Sequence, residues 1–388
     1  KPIRDVVEER LTDPWQDDFG TQIQTVDEDL FVPSLTEDGE LVKRSVESLS
    51  KHVAPTHMVK IETRSGRELE VTPDHRILTL DDGDLVEVRA AELDETATVV
   101  TPHNLDVLEP STDPQSFDLL AAFVADDSVD NERLMVNGLG KETVYGLFEQ
   151  SLSADWNGRF YPLQSTAEHL DMSHKTLSNY LYRESLPVSI LLEFLDSTEA
   201  LCEFVPDDVV LSMKRDSATM DRFVEINARV ATLLGYYAAE GFAREQDTAK
   251  GVIHQTTICG TEAEAREFYL DVLSTEFGVD PYRENEAKIT ASGRLLRTFF
   301  DSILDAGIYA HTKRVPDCIF DASDECVAGY LRGYFSGDGS VSSNAVRVEA
   351  TTVSSELKED LLALLTRLGI VARAELLDPV PLHEKFPG

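Results

Sequence analysis

Lysine is nearly missing from this chain, with 12 among 388 residues, and basic residues of both kinds number 35 against 72 acidic ones. The formal net charge is −37, which excludes the broad basic surface by which proteins in dilute salt hold nucleic acid. The acid is spread along the chain rather than gathered at one end, which argues against an acidic disordered arm. Such a surface suits concentrated salt, where the Debye length falls to about 3 Å and self-repulsion is screened. A halophilic archaeal source is expected, and there the charge does not exclude DNA as a partner. Cysteine is scarce too: Cys202, Cys259, Cys318 and Cys326 show neither metal-ligand pairing nor a disulfide framework, so a reducing cytoplasm is expected. No apolar run reaches the roughly 18–20 residues of a membrane span, so no membrane role is expected. The opening KPIRDVVEER does not read as a signal peptide.

What is present is a duplication. LLGYYAAEG at 233–241 is nearly copied by LRGYFSGDG at 331–339. Apolar residues in both keep helical spacing, and Gly235 with Ala239, like Gly333 with Gly337, lie four apart on one face. Small residues at that spacing let two helix backbones approach closely. The closing glycines, Gly241 and Gly339, are expected to cap the helices in the left-handed conformation. Glu240 and Asp338 then stand at the negative ends of two helix dipoles, and bringing them together adds repulsion. A divalent cation offsets both costs, and Mg²⁺ binds through one or two carboxylates together with phosphate oxygens. After each copy comes a strand and then a helix, with TTI at 256–258 matched by TTV at 351–353. His254, Gln255 and Arg347 are expected to project from a sheet face laid on DNA.

These residues carry a specific resemblance. LLGYYAAEG and LRGYFSGDG resemble the paired motifs of LAGLIDADG homing endonucleases, and KRVP at 313–316 resembles the Lys-x-x-Pro element ahead of the second motif. The resemblance implies an αββαββα-type domain over 222–388 with a pseudo-twofold repeat, the second repeat ending at a strand around 372–377. It implies that Glu240 and Asp338 bind Mg²⁺ and that Lys313 polarises the attacking water or stabilises charge at a scissile phosphate. The first copy departs from the usual pattern in carrying Glu for Asp.

Upstream, residues 56–101 alternate with period two around SGRE and DDGD, which predicts β-hairpins. Between two such strands lies TPDH, 72–75, and in that setting it resembles block B of an intein splicing (Hint) region. By that resemblance His75 contacts the N-terminal scissile peptide and protonates its leaving amine, and Thr72 orients that bond. Splicing also needs a Cys or Ser at the first position and an Asn at the last; this chain starts at Lys1 and ends PLHEKFPG. The chain is therefore expected to be an internal piece of an intein that does not splice as it stands.

Between the modules, YPLQSTAEHLDMSHKTLSNYLYRESLP at 161–187 carries an apolar stripe of Ala167, Leu170, Leu177 and Leu181, with Ser173 a natural N-cap. This predicts a helix-turn-helix whose second helix offers His174, Lys175, Ser178, Asn179, Tyr182 and Arg183 to DNA. The expected fold is α+β and multidomain: a β splicing region over 1–112, a linker EPSTDP, a helical insertion over 115–215 and the endonuclease from 222. The whole chain is similar to the inteins set in the large subunit of the archaeal D-family DNA polymerase. That implies double-stranded DNA and the host's flanking exteins as partners, and a monomer. Two other classes stay open: a helix-turn-helix DNA-binding protein whose LAGLIDADG fold no longer cuts, and a free-standing homing endonuclease with a β appendage.

Overall fold

The computed structural model describes residues 3–26, 30–36, 38–105, 114–152, 162–249, 251–343 and 346–377. The expected linker at 109–114 lies almost entirely outside them, as do Lys1 and PLHEKFPG. The chain divides into two compact units, 1–110 with 358–388, and 111–357. The fold is mixed, with helices and small antiparallel sheets. No described helix is long and apolar enough to cross a membrane.

The first unit is built of short hairpins. Strands β1 (Val59–Glu62) and β2 (Glu68–Val71) pair, as do β3 (Arg76–Asp81) and β4 (Asp84–Arg89). The β3–β4 register sets Asp81 opposite Asp84, leaving Asp82 and Gly83 as a two-residue loop with both φ positive, 51° and 95°. That is the mirror-image turn whose twist matches the strands, which the DDGD string predicts. Alternation places Val71 and Ile77 inward with Ala90, and Val59, Ile61, Leu93 and Val99 pack around them. The β1–β2 turn also receives a later segment: the Ala374 N–H donates to the Ser65 carbonyl at 2.9 Å, and Arg67 donates to the Thr366 hydroxyl. Residues 371–377 carry no strand, contrary to the expected one around 372–377. Their apolar residues alternate, but their backbone meets a turn rather than a sheet edge.

The second unit opens and closes its helical part at one place. Strand Gln115–Asp118 pairs antiparallel with Phe223–Ile226. Beside them Arg222, 2% exposed, donates to both Asp118 carboxylate oxygens and to the Val205 and Cys202 carbonyls, so a buried charge is paired and hydrogen-bonded. Between these strands lie α1 (Pro162–His169) and α2 (His174–Tyr182). Asp171 turns the chain with φ 47°, and the Ser173 hydroxyl caps α2 by accepting from the Thr176 N–H. Ala167, Leu177 and Leu181 are buried. The region is less purely helical than its sequence suggests. Leu134–Asn137, Ser185–Pro187, Val210–Met213 and Thr219–Asp221 form a four-stranded antiparallel sheet within it. Runs as short as LMVN and VLSM carry too few residues for periodicity to separate strand from buried helix.

The rest of the unit centres on α3 (Ala228–Glu240) and α4 (Asp324–Gly337). Asn227 caps α3 and Ser323 caps α4. Strands β5 (Gly241–Thr248), β6 (Gly251–Cys259), β7 (Tyr282–Arg283) and β8 (Lys288–Ser292) form a sheet ordered β5-β6-β8-β7 after α3. After α4 the strands among the described residues are the hairpin pair β9 (Gly339–Val341) and β10 (Val348–Ala350), followed by a helix Ser355–Arg367. The two helices meet backbone to backbone. A Cβ on Gly235 would collide with the Tyr330 carbonyl and stand 2.8 Å from the Tyr334 nitrogen. A Cβ on Gly333 would collide reciprocally with the Thr232 carbonyl and stand 2.9 Å from the Tyr236 nitrogen.

Gly333→Ala should therefore destabilise by about 1–3 kcal/mol, because the obstruction is main chain and cannot rotate aside. Gly146→Ala, in helix Lys141–Leu152 with open space around it, should be neutral or stabilising by about 0.5–1 kcal/mol. Urea unfolding of both variants checks the contrast.

Candidate functional site

The close approach of α3 and α4 continues to their C-terminal ends. A Cβ on Gly337 would stand 2.6 Å from the Ala239 Cβ and 3.4 Å from the Glu240 Cγ. Glu240 is the last residue of α3 and Asp338 follows the last residue of α4, so two carboxylates are set beside one another at two negative dipole ends. Burial raises Glu240 above the usual carboxylate range. Burial first, and then the Glu240 charge, push Asp338 up to about 6. Among the described residues no group of three or more His, Cys, Asp or Glu is arranged to hold a metal ion.

The closing glycines do not cap in the left-handed conformation. Gly241 has φ −96° and ψ 157°, extended backbone that opens β5, and Asp338, with φ −99°, caps α4. Glycine is needed there for room. The chain leaves each helix so sharply that a Cβ on Gly241 would stand 2.6 Å from the Tyr237 carbonyl oxygen, and one on Gly339 would strike the Phe335 carbonyl.

Lys313 is 2% exposed, and its Nζ lies 3.2 Å from the ring centroid of Tyr237, three residues before Glu240. It has no hydrogen-bond partner among the described residues, and burial holds its ammonium well below the usual lysine value. Its carbonyl accepts from the Ser354 hydroxyl, which also accepts from the Leu357 N–H. The side chain is thus buried against the Tyr237 ring rather than solvated.

The β5–β8 sheet has two unlike faces. Ala243, Ile258, Ile289 and Ala291 are buried on one. The other carries Phe242, Arg244, Gln255, Thr257, Lys288 and Thr290. His254 and Gln255 are neighbours on β6 and so point to opposite faces. Gln255 is on the polar face. His254 is on the apolar one, its Nδ1 3.3 Å from the Glu245 carboxylate and its pKa lowered by burial, so the expectation that both project from one face is corrected. Gln255 is 8% exposed, and Arg244, which pattern reading passed over, is bonded to it. Registering β5 against β6 by parity would have found Arg244. Arg347 is exposed beside β10 and paired with Glu349.

On α2, His174, Lys175, Asn179 and Tyr182 are exposed and Ser178 is half-buried, with Arg183 exposed at the C-cap. The Lys141 ammonium lies 5.7 Å from the Tyr182 ring centroid. In the first unit, TPDH forms the turn between β2 and β3. The His75 N–H donates to the Thr72 carbonyl at 3.1 Å, and the His75 carbonyl accepts from Ala90. His75 is exposed, while the Thr72 hydroxyl is bonded to Asp74 and holds that carboxylate below its usual range.

Residues 325–375 match the family described as a LAGLIDADG-like domain. The chain is 34% identical over 397 residues to the DNA polymerase II large subunit of Haloquadratum walsbyi, covering 99% of this chain and 17% of that protein. It is 33% identical over 338 residues to the DNA polymerase II large subunit of Thermococcus kodakarensis, covering 86% and 17%. It is also 26% identical over 341 residues to an A-type ATP synthase protein of Methanopyrus kandleri, covering 86% and 30%. The chain spans about a sixth of the length of the first two relatives.

A carboxylate raised from 3.8 to about 6 binds its proton more tightly in the folded chain than in the unfolded one. Its contribution therefore stabilises as pH falls from about 6 toward about 4, and it destabilises at neutral pH. Asp338→Asn should melt roughly 2–4 °C above the parent at about pH 7, and the gap should close near about pH 4. Paired thermal melts across that range give the comparison.

Proposed function

From a chain that carries a LAGLIDADG-like domain and resembles an intein with a homing endonuclease, we propose an endonuclease making a site-specific double-strand cut in intein-less copies of its host gene. The observation that carries this is the pair Glu240 and Asp338, held together on two closely packed helices where their mutual repulsion is uncompensated by any described cation. Two adjacent carboxylates, Glu240 exposed and Asp338 half-buried, open to phosphate oxygens and water for the remaining positions, fit Mg²⁺. When bound, Mg²⁺ supplies Lewis-acid stabilisation of charge at a phosphodiester.

The chain's own residues divide the remaining work. Glu240 and Asp338 fix the site at the helix ends. Lys313, whose burial disfavours the ammonium form, polarises the attacking water or stabilises charge at the scissile phosphate. Gln255 on the sheet and Arg347 on the second hairpin face the duplex. The α2 residues His174, Lys175, Ser178, Asn179, Tyr182 and Arg183 make a second contact with it, in the manner of a helix-turn-helix.

Residues 1–112 act as the Hint splicing region, with His75 at the N-terminal scissile peptide and Thr72 beside it. The Thr72 hydroxyl must leave Asp74 to orient that bond. Residues 115–215 form the recognition insertion and 222–388 the endonuclease. Relatives named for a DNA polymerase and for an ATP synthase match 86% or more of this chain while it covers a third or less of them. A shared insertion in hosts of unlike activity accounts for that better than a polymerase active site. The nearly complete match to the haloarchaeal polymerase supports that protein as host, with its flanking exteins as covalent neighbours.

Cleavage of a plasmid carrying the uninterrupted host gene, with Mg²⁺ present, tests the proposal. Glu240→Gln and Asp338→Asn should bind the plasmid site and leave it intact, with rates at least about 100-fold down. Cutting at the parent rate by either variant removes that acid from the site, and binding without cutting by the parent itself leaves a DNA-binding protein only.

A further inference from the structure

On the polar face of the β5–β8 sheet one guanidinium is braced. The Arg244 Nε donates to the Gln255 Oε1 at 2.9 Å, and its Nη2 donates to the Glu284 Oε1 at 3.0 Å. Both braces are themselves held. The Gln255 Nε2 donates to the Tyr282 hydroxyl at 2.7 Å, and the Glu284 Oε2 accepts from the Thr290 hydroxyl at 2.9 Å. Those two bonds, from Thr290 first and Arg244 second, keep Glu284 below the usual carboxylate range, so the brace stays charged. Phe242 lies alongside, its ring centroid 5.8 Å from the guanidinium carbon.

A guanidinium has five N–H groups in a rigid plane. Two are used here, and the remaining three, two on Nη1 and one on Nη2, bond no described residue. They include the parallel end-on pair that matches two adjacent acceptors. In the major groove guanine alone presents two adjacent acceptors, O6 and N7, whereas adenine pairs its N7 acceptor with an N6 donor. An unbraced arginine loses rotamer freedom on binding, and the two braces remove that loss before any ligand arrives.

Resting on the DNA-cutting reading above, we infer that Arg244 reads one guanine of the target, with Gln255 and Glu284 as its positioning residues. The reading is one-sided. Three residues beyond the helix-terminal glycine, where the first motif has Arg244, the second has Ser342.

Selection from a random duplex library in EDTA, so that bound DNA stays whole, tests this with the full chain. The parent should enrich a sequence with a strongly preferred G·C pair at one position. Arg244→Lys keeps the charge but not the fork. It should lose roughly ten- to hundredfold of the preference at that one position while preferences elsewhere and binding to unrelated duplex persist. An unchanged melting temperature in that variant shows that the fold is intact. If Arg244→Lys enriches the parent sequence with undiminished preference at every position, the assignment is overturned. The same holds if Arg244→Ala weakens all sequences equally and lowers the salt slope by about one, as a phosphate contact would. A parent that enriches nothing defeats the DNA reading itself, and this inference with it.

Discussion

Two helices that touch through their main chains set the position of the paired acids in the second unit. Gly235 and Gly333 sit where any side chain would strike the opposite carbonyl, and Ala239 meets Gly337 one turn later. Contact that close fixes the relative height of the helices as well as their separation, because backbone does not repack as side chains do. The height brings Glu240 level with Asp338. The sharp exits at Gly241 and Gly339 then start a strand from each helix end, so the sheet and the hairpin both spring from the acids they flank. Burial and repulsion at the acids are the cost of that placement, and stability is lost locally where function needs charge held in readiness.

Much of this was legible in the sequence, for reasons of period and repetition. A nonapeptide written twice shows its own invariant parts, and the helical spacing of glycine and alanine within it can face only a second helix. The TPDH turn, the Asp82-Gly83 loop and the Ser173 cap are local, and local chemistry survives in sequence. Tertiary closeness did not. The left-handed cap expected at Gly241 failed because glycine was needed for clearance from Tyr237, which no string of residues reveals. His254 was placed on the wrong face because composition was read without strand parity. The small sheet threaded through the helical insertion was missed because its strands run to three or four residues. The KRVP resemblance singled out Lys313, but its burial against Tyr237 comes from packing that the sequence does not show.

On the proposed DNA-cutting reading, the acidic surface and a duplex partner are reconciled by where the basic groups sit. Arg244 and Lys288 lie on one sheet face against Phe242, and Lys141 lies by Tyr182 on the helical insertion. In the strong salt that the acidic composition suggests, a few placed cations would contribute direction rather than bulk attraction, since counterion release is weak there. Specificity then has to rest on fixed geometry. The hydrogen-bonded braces around Arg244 supply such geometry without adding charge.

The central claim is that Glu240 and Asp338 share one electrostatic site. Carbon-13 NMR titration of the Asp338 carboxyl, in the parent and in Glu240→Gln, tests it most directly. The account predicts titration at about 6 in the parent and a clear fall when the Glu240 charge is removed. Titration near the ordinary aspartate value, unmoved by Glu240→Gln, would contradict it.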